Sequence, residues 1–223
     1  MAGLLVTGTD TDCGKTEIAL GLMAALQARG QTVLGMKPVA SGCIATSSGL
    51  RNPDAERLQA QASRPVAYRV VNPYSFAPPI APHIAADQVG ARIEPAVIRA
   101  TYEALAAAAD VVVVEGVGGW RVPLGQGWFV SALAEMLELQ VILVVGLRLG
   151  CLNHALLSAA QIQADGARLA GWVGNRIDPA MPAQDENIAT LKALIGAPCL
   201  GIVPWQTPPA AERTAAFLQI ECR

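Results

Sequence analysis

Apolar positions along the chain fall into continuous runs and helically spaced patterns. Continuous runs such as 111–114 and 141–145 are typical of strands buried on both faces, as in a parallel sheet. Strands are predicted over residues 3–7, 32–37, 110–115, 140–146, 168–175 and 199–204. Helical spacing predicts helices over residues 15–29, 54–62, 95–108, 130–137, 153–164 and 184–195. This alternation predicts a doubly wound α/β fold with a mostly parallel sheet and helices on both faces.

Two stretches depart from the alternation. Residues 39–53 are rich in Ser, Gly and Thr, and residues 71–90 carry four of the fifteen prolines. Long irregular segments of a compact domain tend to be functional or mobile. In the second stretch, residues 72–76 (Asn-Pro-Tyr-Ser-Phe) either line a substrate channel or pack the segment, and packing is the favoured interpretation.

Bulk composition narrows the class of protein. A length of 223 residues suits one α/β domain, 1–223. The 16 basic and 18 acidic residues give a net charge of −2 without a run of Lys or Arg, so no nucleic-acid partner is expected. No apolar stretch reaches transmembrane length and no charged leader precedes the first strand, so no membrane partner is expected.

The cysteines and the low charge content add two expectations. Charged residues make up only 15% of the chain, which favours an oligomer that hides apolar surface. The cysteines are odd in number and lie far apart, without metal-ligand spacing, which predicts reduced thiols in a cytoplasmic protein. They are Cys13, Cys43, Cys151, Cys199 and Cys222.

Residues 8–16 (GTDTDCGKT), between the first predicted strand and helix, carry the clearest chemistry. A phosphate-binding loop needs this context, because successive N–H groups and the helix dipole must converge on phosphate oxygens. Lys15 is expected to reach the β- and γ-phosphates, and the Thr16 hydroxyl to bind Mg²⁺. Five residues, rather than the common four, separate Gly8 from Gly14. The segment predicts a nucleoside-triphosphate site, and a helix start with a solvated lysine is the weaker alternative.

Two further charged residues are expected at the same sheet edge. Glu115 ends the run 111–114 and precedes a glycine-rich turn, so it is a candidate Mg²⁺ ligand or water-orienting carboxylate, with an exposed loop acid as the alternative. Lys37 ends the second strand, where an ammonium would hold an anionic substrate or stabilise a transition state. From spacing alone, a surface lysine at a strand end is an equally good interpretation of Lys37.

Three other positions have competing local interpretations. Asp54 follows Asn52-Pro53 and is best interpreted locally as a helix cap. Residues 150–153 precede a predicted helix and form either a carboxylate-binding helix N-terminus or an ordinary start capped at Asn153. His83 and His154 have no nucleophile partner in the sequence and are interpreted as structural.

Taken in order, these segments resemble the ATP-dependent dethiobiotin synthetases of biotin biosynthesis. The resemblance rests on residues 8–16, 37–42 (KPVASG), 52–55 (NPDA), 81–85 (APHIA), 115–119 (EGVGG), 150–155 (GCLNHA), 171–175 (GWVGN) and 201–205 (GIVPW). It implies a homodimer that closes a ureido ring on 7,8-diaminopelargonate with CO₂, ATP and Mg²⁺. A substrate carbamate would attack the γ-phosphate, and the second amine would then close the ring and expel phosphate.

The resemblance also implies roles for individual residues. Lys15 would clamp the γ-phosphate, Lys37 would polarise the carbamate, and Thr11 would hydrogen-bond near both. The implied Mg²⁺ ligands are Thr16, Asp54 and Glu115, which for Asp54 replaces the local interpretation as a cap. The residues implied to bind ATP are Asp12, Cys13, Gly14, Lys15, Thr16 and Glu115, with Asn175, Pro204 and Trp205 at the adenine. The residues implied to bind substrate are Ser41 and Gly118, with Gly150, Cys151, Leu152 and Asn153 of the partner subunit.

Two other classes share part of this pattern. Nucleotide-switched ATPases of the partitioning or metal-cluster-carrier type have the P-loop, the parallel sheet and the dimeric habit, but their loop carries a signature lysine where this chain has Asp10. A cobyrinate-type amide ligase would bring a glutaminase domain, for which 223 residues leave no space. Both classes are therefore less consistent with the sequence.

Overall fold

A computed structural model describes residues 3–220, so Cys222 lies outside the described residues. The strands are β1 (Leu4–Gly8), β2 (Val33–Met36), β3 (Val39–Ala40), β4 (Ile44–Thr46), β5 (Gly49–Arg51), β6 (Tyr74–Ser75), β7 (Val111–Glu115), β8 (Pro123–Gly125), β9 (Trp128–Phe129), β10 (Gln140–Gly146), β11 (Leu169–Asn175) and β12 (Cys199–Val203). The helices are α1 (Lys15–Gln27), α2 (Pro53–Ala60), α3 (Tyr68–Val71), α4 (Pro82–Gln88), α5 (Pro95–Ala106), α6 (Ala132–Met136), α7 (Cys151–Ala164), α8 (Gln184–Leu194) and α9 (Ala211–Ala215).

The six predicted strands form one sheet in the order β12-β11-β10-β1-β7-β2. Every neighbouring pair in this sheet is parallel. Each strand begins and ends within one residue of its predicted bounds, because long apolar runs bounded by turn residues leave little freedom for the ends. The prediction of a doubly wound parallel sheet is confirmed.

Alternate residues of each strand supply the two cores of the molecule. In β7, Val112 and Val114 pack with Ile98 of α5 on one face. Val111 and Val113 pack on the other face, with residues of α1 and α2 such as Ile18 and Leu58. Because successive side chains of a strand point to opposite faces, a run of four valines is buried on both sides.

The strand order opens a crevice at the carboxyl edge of β1 and β7. These strands are neighbours, but α1 after β1 packs on one face and α6 after β7 packs on the other. Such a divergence is the topological switch point at which ligands bind in open α/β sheets. The loop 8–16 follows β1 and Glu115 ends β7, so the sequence motifs meet at this crevice.

The predicted helices all form, but two local interpretations of their starts are wrong. Asn52, and not Asp54, caps α2, because the Asn52 side chain accepts hydrogen bonds from the backbone N–H groups of Asp54 (3.1 Å) and Ala55 (3.2 Å). Helix α7 begins at Cys151 after Gly150, whose φ of 94° is left-handed, so Asn153 is not its cap.

The two irregular stretches contain small elements that hold them at the carboxyl edge. Strands β3 and β6 pair in parallel and join the two stretches. Strands β4 and β5 form an antiparallel hairpin, and α4 lies inside the second stretch. Within residues 3–220, no helix combines the length and the apolar character needed to cross a bilayer.

Candidate active site

A cavity of about 710 Å³ lies at the carboxyl edge of the sheet. It is bordered by the loop after β1, the ends of β2 and β7, and the start of α2. The predicted site residues that line it are Thr11, Asp12, Gly14, Lys15, Thr16, Lys37, Ser41, Asp54, Glu115 and Gly118. One cavity is therefore lined by the predicted phosphate-loop residues, the predicted carboxylates and the predicted lysines.

The loop between β1 and α1 has the backbone of an anion site. Gly14 has a φ of 92° and directly precedes α1, whose N-terminus receives no side-chain cap. The first N–H groups of this helix are therefore available to an anion, and the helix dipole favours negative charge there. The Lys15 ammonium donates to the Asp10 carbonyl at 2.6 Å, which folds the lysine back along its own loop.

Lys37 joins two carboxylates at the centre of the cavity. Its ammonium donates to Glu115 Oε1 at 2.5 Å and to Asp54 Oδ2 at 3.1 Å. Glu115 Oε1 also accepts a hydrogen bond from Thr16 Oγ1 at 2.9 Å. Lys37 is 4% exposed and Glu115 is 1% exposed, so the interpretation of Lys37 as a surface lysine is wrong, and so is that of Glu115 as an exposed acid.

The charges within this cluster favour the ionised forms of Lys37 and Asp54. Burial lowers the pKa of Lys37, but the charges and hydrogen bonds of Glu115 and Asp54 outweigh it and raise this pKa above its ordinary value of 10.5. Burial raises the pKa of Asp54, but the adjacent Lys37 ammonium outweighs it and lowers this pKa below 3.8. At neutral pH Lys37 is therefore an ammonium and Asp54 a carboxylate.

The oxygen atoms of the cluster fit a hard divalent cation. Thr16, Asp54 and Glu115 supply the hydroxyl and carboxylate oxygens that Mg²⁺ prefers. Glu115 Oε2 is buried and has no hydrogen-bond partner among the described residues. A buried carboxylate oxygen without a partner is costly, so a cation there would satisfy it. The buried Ser41 hydroxyl is likewise without a partner among residues 3–220.

The predicted adenine residues lie on the same sheet edge but outside this cavity. Asn175 ends β11 beside Val203 of β12, and Pro204-Trp205 follow directly. The Asn175 side chain donates to the Cys13 carbonyl at 3.1 Å and packs against Gly14. The Cys13 side chain is itself buried.

The predicted contacts from a partner subunit also lie away from the cavity of this chain. Gly150 directly precedes α7, residues 151–153 form its first turn, and none of them lines the cavity. His154 is exposed on the same helix, and His83 lines a separate cavity, so neither histidine faces the Lys37 cluster.

Sequence reasoning missed three groups that support the site. Asn52 was detectable, because Pro53 occupies a first-turn position and the residue before it is then the cap. Arg57 lies one turn after Asp54 on α2 and forms a bidentate ion pair with Glu17 of α1 at 2.5 and 2.8 Å. Asn72 has no local signal for a role in the site, because its link to the cluster is a hydrogen bond to the carbonyl of Lys37, which is distant along the chain.

A phosphate loop after β1 with a buried carboxylate on the neighbouring strand defines a P-loop nucleotide-binding protein. The MinC:MinD complex of Aquifex aeolicus superposes with a TM-score of 0.60 at 17% identity, over 98% of this chain and 87% of that one. MinD of Pyrococcus horikoshii, solved with Mg-ADP, superposes with a TM-score of 0.56 at 15% identity, over 98% of this chain and 86% of that one. At these identities the likeness shows the fold alone.

Sequence relatives identify the family. A family model described as an AAA domain matches residues 2–213. The ATP-dependent dethiobiotin synthetase BioD of Chromohalobacter salexigens is 52% identical over 97% of this chain and 96% of its own length. The ATP-dependent dethiobiotin synthetase BioD of Pseudomonas aeruginosa strain UCBPP-PA14 is 51% identical over 99% of this chain and 97% of its own length. The chain belongs to the ATP-dependent dethiobiotin synthetases, which are ATP-dependent ligases of biotin synthesis.

The family assignment also decides between the classes considered from sequence. The superposed MinD proteins share the fold but not the identity that would carry function. At the position of the switch-ATPase lysine this chain has Asp10, whose carboxylate forms an ion pair with Arg148 after β10. This chain therefore has an ion-paired acidic residue at the position where the switch ATPases carry their signature lysine.

Proposed function

We propose that this enzyme closes a ureido ring on 7,8-diaminopelargonate with CO₂, producing dethiobiotin, ADP and phosphate. The observation that carries the proposal is the buried Lys37 ammonium, which shares one cavity with the phosphate-loop residue Lys15. ATP hydrolysis alone would need the phosphate loop and a water-orienting carboxylate. A second buried lysine beside it suits a reaction whose phosphoryl acceptor is itself an anion.

The bond changes follow from the chemistry of a carbamate. One substrate amine forms an N–C bond to CO₂ and loses a proton, which leaves a carbamate. A carbamate oxygen then forms a bond to the γ-phosphorus as the P–O bond to ADP breaks. The second amine attacks the carbonyl carbon, the C–O bond to phosphate breaks, and a proton and phosphate are released. Holding this amine beside the activated carbonyl makes the last step intramolecular, for which gains of up to about 7–11 kcal/mol are available from proximity.

The lysines and hydroxyls of the cavity have distinct parts in this scheme. Lys15 binds the γ-phosphate, together with the backbone N–H groups of Asp12, Cys13 and Gly14. Lys37 and the Ser41 hydroxyl bind the carbamate oxygens, and Thr11 hydrogen-bonds between carbamate and phosphate. Gly118, whose φ is 63°, brings its backbone close to the substrate. Asn175, Pro204 and Trp205 bind the adenine at the edge of β11 and β12.

The cation that the family implies has its ligands in the same cluster. Thr16, Asp54 and Glu115 would hold Mg²⁺, which offsets the charge of the triphosphate so that an anionic acceptor can approach. Glu115 Oε2, which has no hydrogen-bond partner among residues 3–220, supports this assignment. Lys37 contacts two of the three proposed ligands, so its charge offsets part of theirs.

We further propose a cytoplasmic homodimer formed from single P-loop α/β domains (1–223). The N-terminal residues of α7, Gly150–Asn153, would receive the substrate carboxylate at the site of the partner subunit. Two observations support this. The N-terminus of α7 carries no side-chain cap, and Leu149 directly before it is 93% exposed. An uncapped helix N-terminus beside exposed apolar surface suits an anion at a subunit interface.

The test is mass-spectrometric detection of dethiobiotin from 7,8-diaminopelargonate, ¹⁸O-bicarbonate, ATP and Mg²⁺. We expect product and, before the bicarbonate oxygen exchanges with water, ¹⁸O in the released phosphate. The Lys37→Ala variant is expected to form little product, whereas Lys192→Ala, which changes an exposed lysine, keeps wild-type activity. Absence of product from folded wild-type enzyme that binds ATP would overturn the proposal, and unlabelled phosphate released together with ¹⁸O-labelled dethiobiotin would exclude the anhydride.

A further inference from the structure

Asn72 lies at the centre of a buried hydrogen-bond network behind Lys37. It is 3% exposed. Its Nδ2 donates to the carbonyls of Lys37 at 2.6 Å and Tyr74 at 3.1 Å. Its Oδ1 accepts hydrogen bonds from Tyr68 Oη at 3.0 Å and Ser75 Oγ at 2.6 Å. Both donors and both acceptor positions of this amide are therefore satisfied.

The network replaces the backbone support that Lys37 does not receive from the sheet. Strand β2 ends at Met36 and lies at the edge of the sheet, so no ladder continues to Lys37. Pro38 follows and has no N–H to donate. Instead, the Lys37 N–H donates to the Val71 carbonyl at 2.8 Å, and its carbonyl accepts from Asn72. Residues 71–72 thus supply the hydrogen bonds to the Lys37 backbone that a neighbouring strand would otherwise supply.

A second arm of the network reaches Asp54. Tyr68 Oη, which donates to Asn72, accepts a hydrogen bond from the Asn52 N–H at 2.7 Å. Asn52 in turn caps α2 by binding the N–H of Asp54. A continuous path therefore joins the backbone of Lys37, through Asn72, Tyr68 and Asn52, to the helix end that carries Asp54.

We propose that Asn72 is a positioning residue that sets the Lys37 ammonium against the Asp54 and Glu115 carboxylates. The expected effect of Asn72 on the reaction rate rests on the proposed function of Lys37. The expected effect of Asn72 on the position of the Lys37 ammonium does not. A fully satisfied buried amide holds its partners in one arrangement, and its removal leaves polar groups buried without partners. A misplacement of about 1 Å in a reacting group costs about a hundredfold in rate.

The central variant is Asn72→Ala, which removes both arms of the network. We expect kcat to fall by about 10- to 100-fold while the KM for ATP changes little, because the phosphate loop is not part of the network. In the Lys37→Ala background the same change is expected to cost nothing further, since residues that act through one another are not additive. A loss of ATP affinity equal to the loss of kcat would overturn the proposal.

A spectroscopic readout tests the geometry without the reaction. The chain has three lysines, Lys15, Lys37 and Lys192, so ¹³Cε-lysine resonances can be assigned by substitution. We expect Asn72→Ala to shift the Lys37 resonance and to leave that of Lys192 in place. An unchanged Lys37 resonance in the folded variant would overturn the proposal. If wild type makes no dethiobiotin, the proposed function fails, but this readout still decides the role of Asn72.

Milder variants cover the case in which Asn72→Ala does not fold. Tyr68→Phe removes one hydroxyl and keeps the aromatic ring that lies 4.1 Å from the Arg51 guanidinium carbon. It breaks the connection from Asn72 to Asn52, which caps the helix end that carries Asp54. We therefore expect it to shift the Lys37 resonance, because Asp54 contacts the Lys37 ammonium, and to lower kcat several-fold. Ser75→Ala is the matched control, because it removes a hydroxyl from the same amide oxygen but from neither arm. Equal effects of these two variants on kcat and on the resonance would contradict the proposal.

Discussion

The Lys37 ammonium lies 2.5 Å from Glu115 Oε1, and both side chains are almost fully buried. The same ammonium contacts Asp54, so one buried cation is set against two carboxylates. These carboxylates are also the proposed ligands of Mg²⁺. The atoms that compensate one another's charge in this cluster are therefore the atoms proposed to act in the reaction.

Removal of Lys37 is expected to destabilise the fold as well as to stop the reaction. Lys37→Met leaves Glu115 buried without a counter-charge, which costs about 3–5 kcal/mol in the free energy of unfolding. Urea denaturation measures this loss. Glu115→Gln added to Lys37→Met should restore most of the stability, because a neutral pair replaces the uncompensated charge. Equal stabilities of the single and double variants would argue against charge burial as the cause.

The acid side of the stability profile should depend on Asp54. Its pKa is lowered in the folded protein, so its contribution is present above about pH 3.8 and is lost as the pH falls through the lower folded-state value. We expect Asp54→Asn to lose less stability than wild type when urea denaturation is repeated at pH values falling below this range. Parallel acid profiles for the two proteins would show that Asp54 does not contribute.

The alkaline side should depend on Lys37 in the opposite sense. Its pKa is raised, so its contribution is complete below about pH 10.5 and is lost as the pH rises through the folded-state value. Lys37→Met is therefore expected to lack the part of the alkaline fall in unfolding free energy that wild type shows above this pH. A fall of the same size in both proteins would assign it to other groups.

The Glu17–Arg57 ion pair is expected to control cation affinity. It joins α1, which carries Thr16, to α2, which carries Asp54, by two hydrogen bonds at 2.5 and 2.8 Å. Glu17→Gln should weaken binding of Mn²⁺ in the presence of ATP by about tenfold, because residues that orient metal ligands affect affinity by 10- to 100-fold. Electron paramagnetic resonance of free Mn²⁺ measures this directly. The control is Glu56→Gln, an exposed acid on α2, the helix that carries Arg57, and equal affinities of the two variants would contradict the expectation.

Mixed dimers test whether each site uses two subunits. Lys37→Ala and Gly150→Val should each be inactive alone, the latter because a φ of 94° does not suit a β-branched residue. After co-refolding in equal amounts, we expect about a quarter of wild-type activity, because half of the dimers are mixed and each has one intact site. No recovery in mixtures shown to contain mixed dimers would mean that each site belongs to one chain.

Local patterns were sufficient for the parts of the molecule that depend on neighbouring residues. The strand at 111–114 follows from a run of valines that no surface strand would carry, and the phosphate loop follows from glycines and a lysine between a strand and a helix. Even so, the cap of α2 was assigned to Asp54 rather than Asn52. Both side chains can cap a helix, and the deciding signal was Pro53 between them.

The sequence by itself determined the strands, the phosphate loop and the family to which its motifs belong. Only the tertiary structure decided that β7 lies between β1 and β2, and thereby that Glu115 meets Thr16 and Lys37. It also decided that Asn72, in the irregular segment after α3, is buried and donates a hydrogen bond to the Lys37 carbonyl. The physical reason is the same in both cases, because hydrogen bonds and ion pairs between distant residues depend on how elements pack rather than on any local pattern.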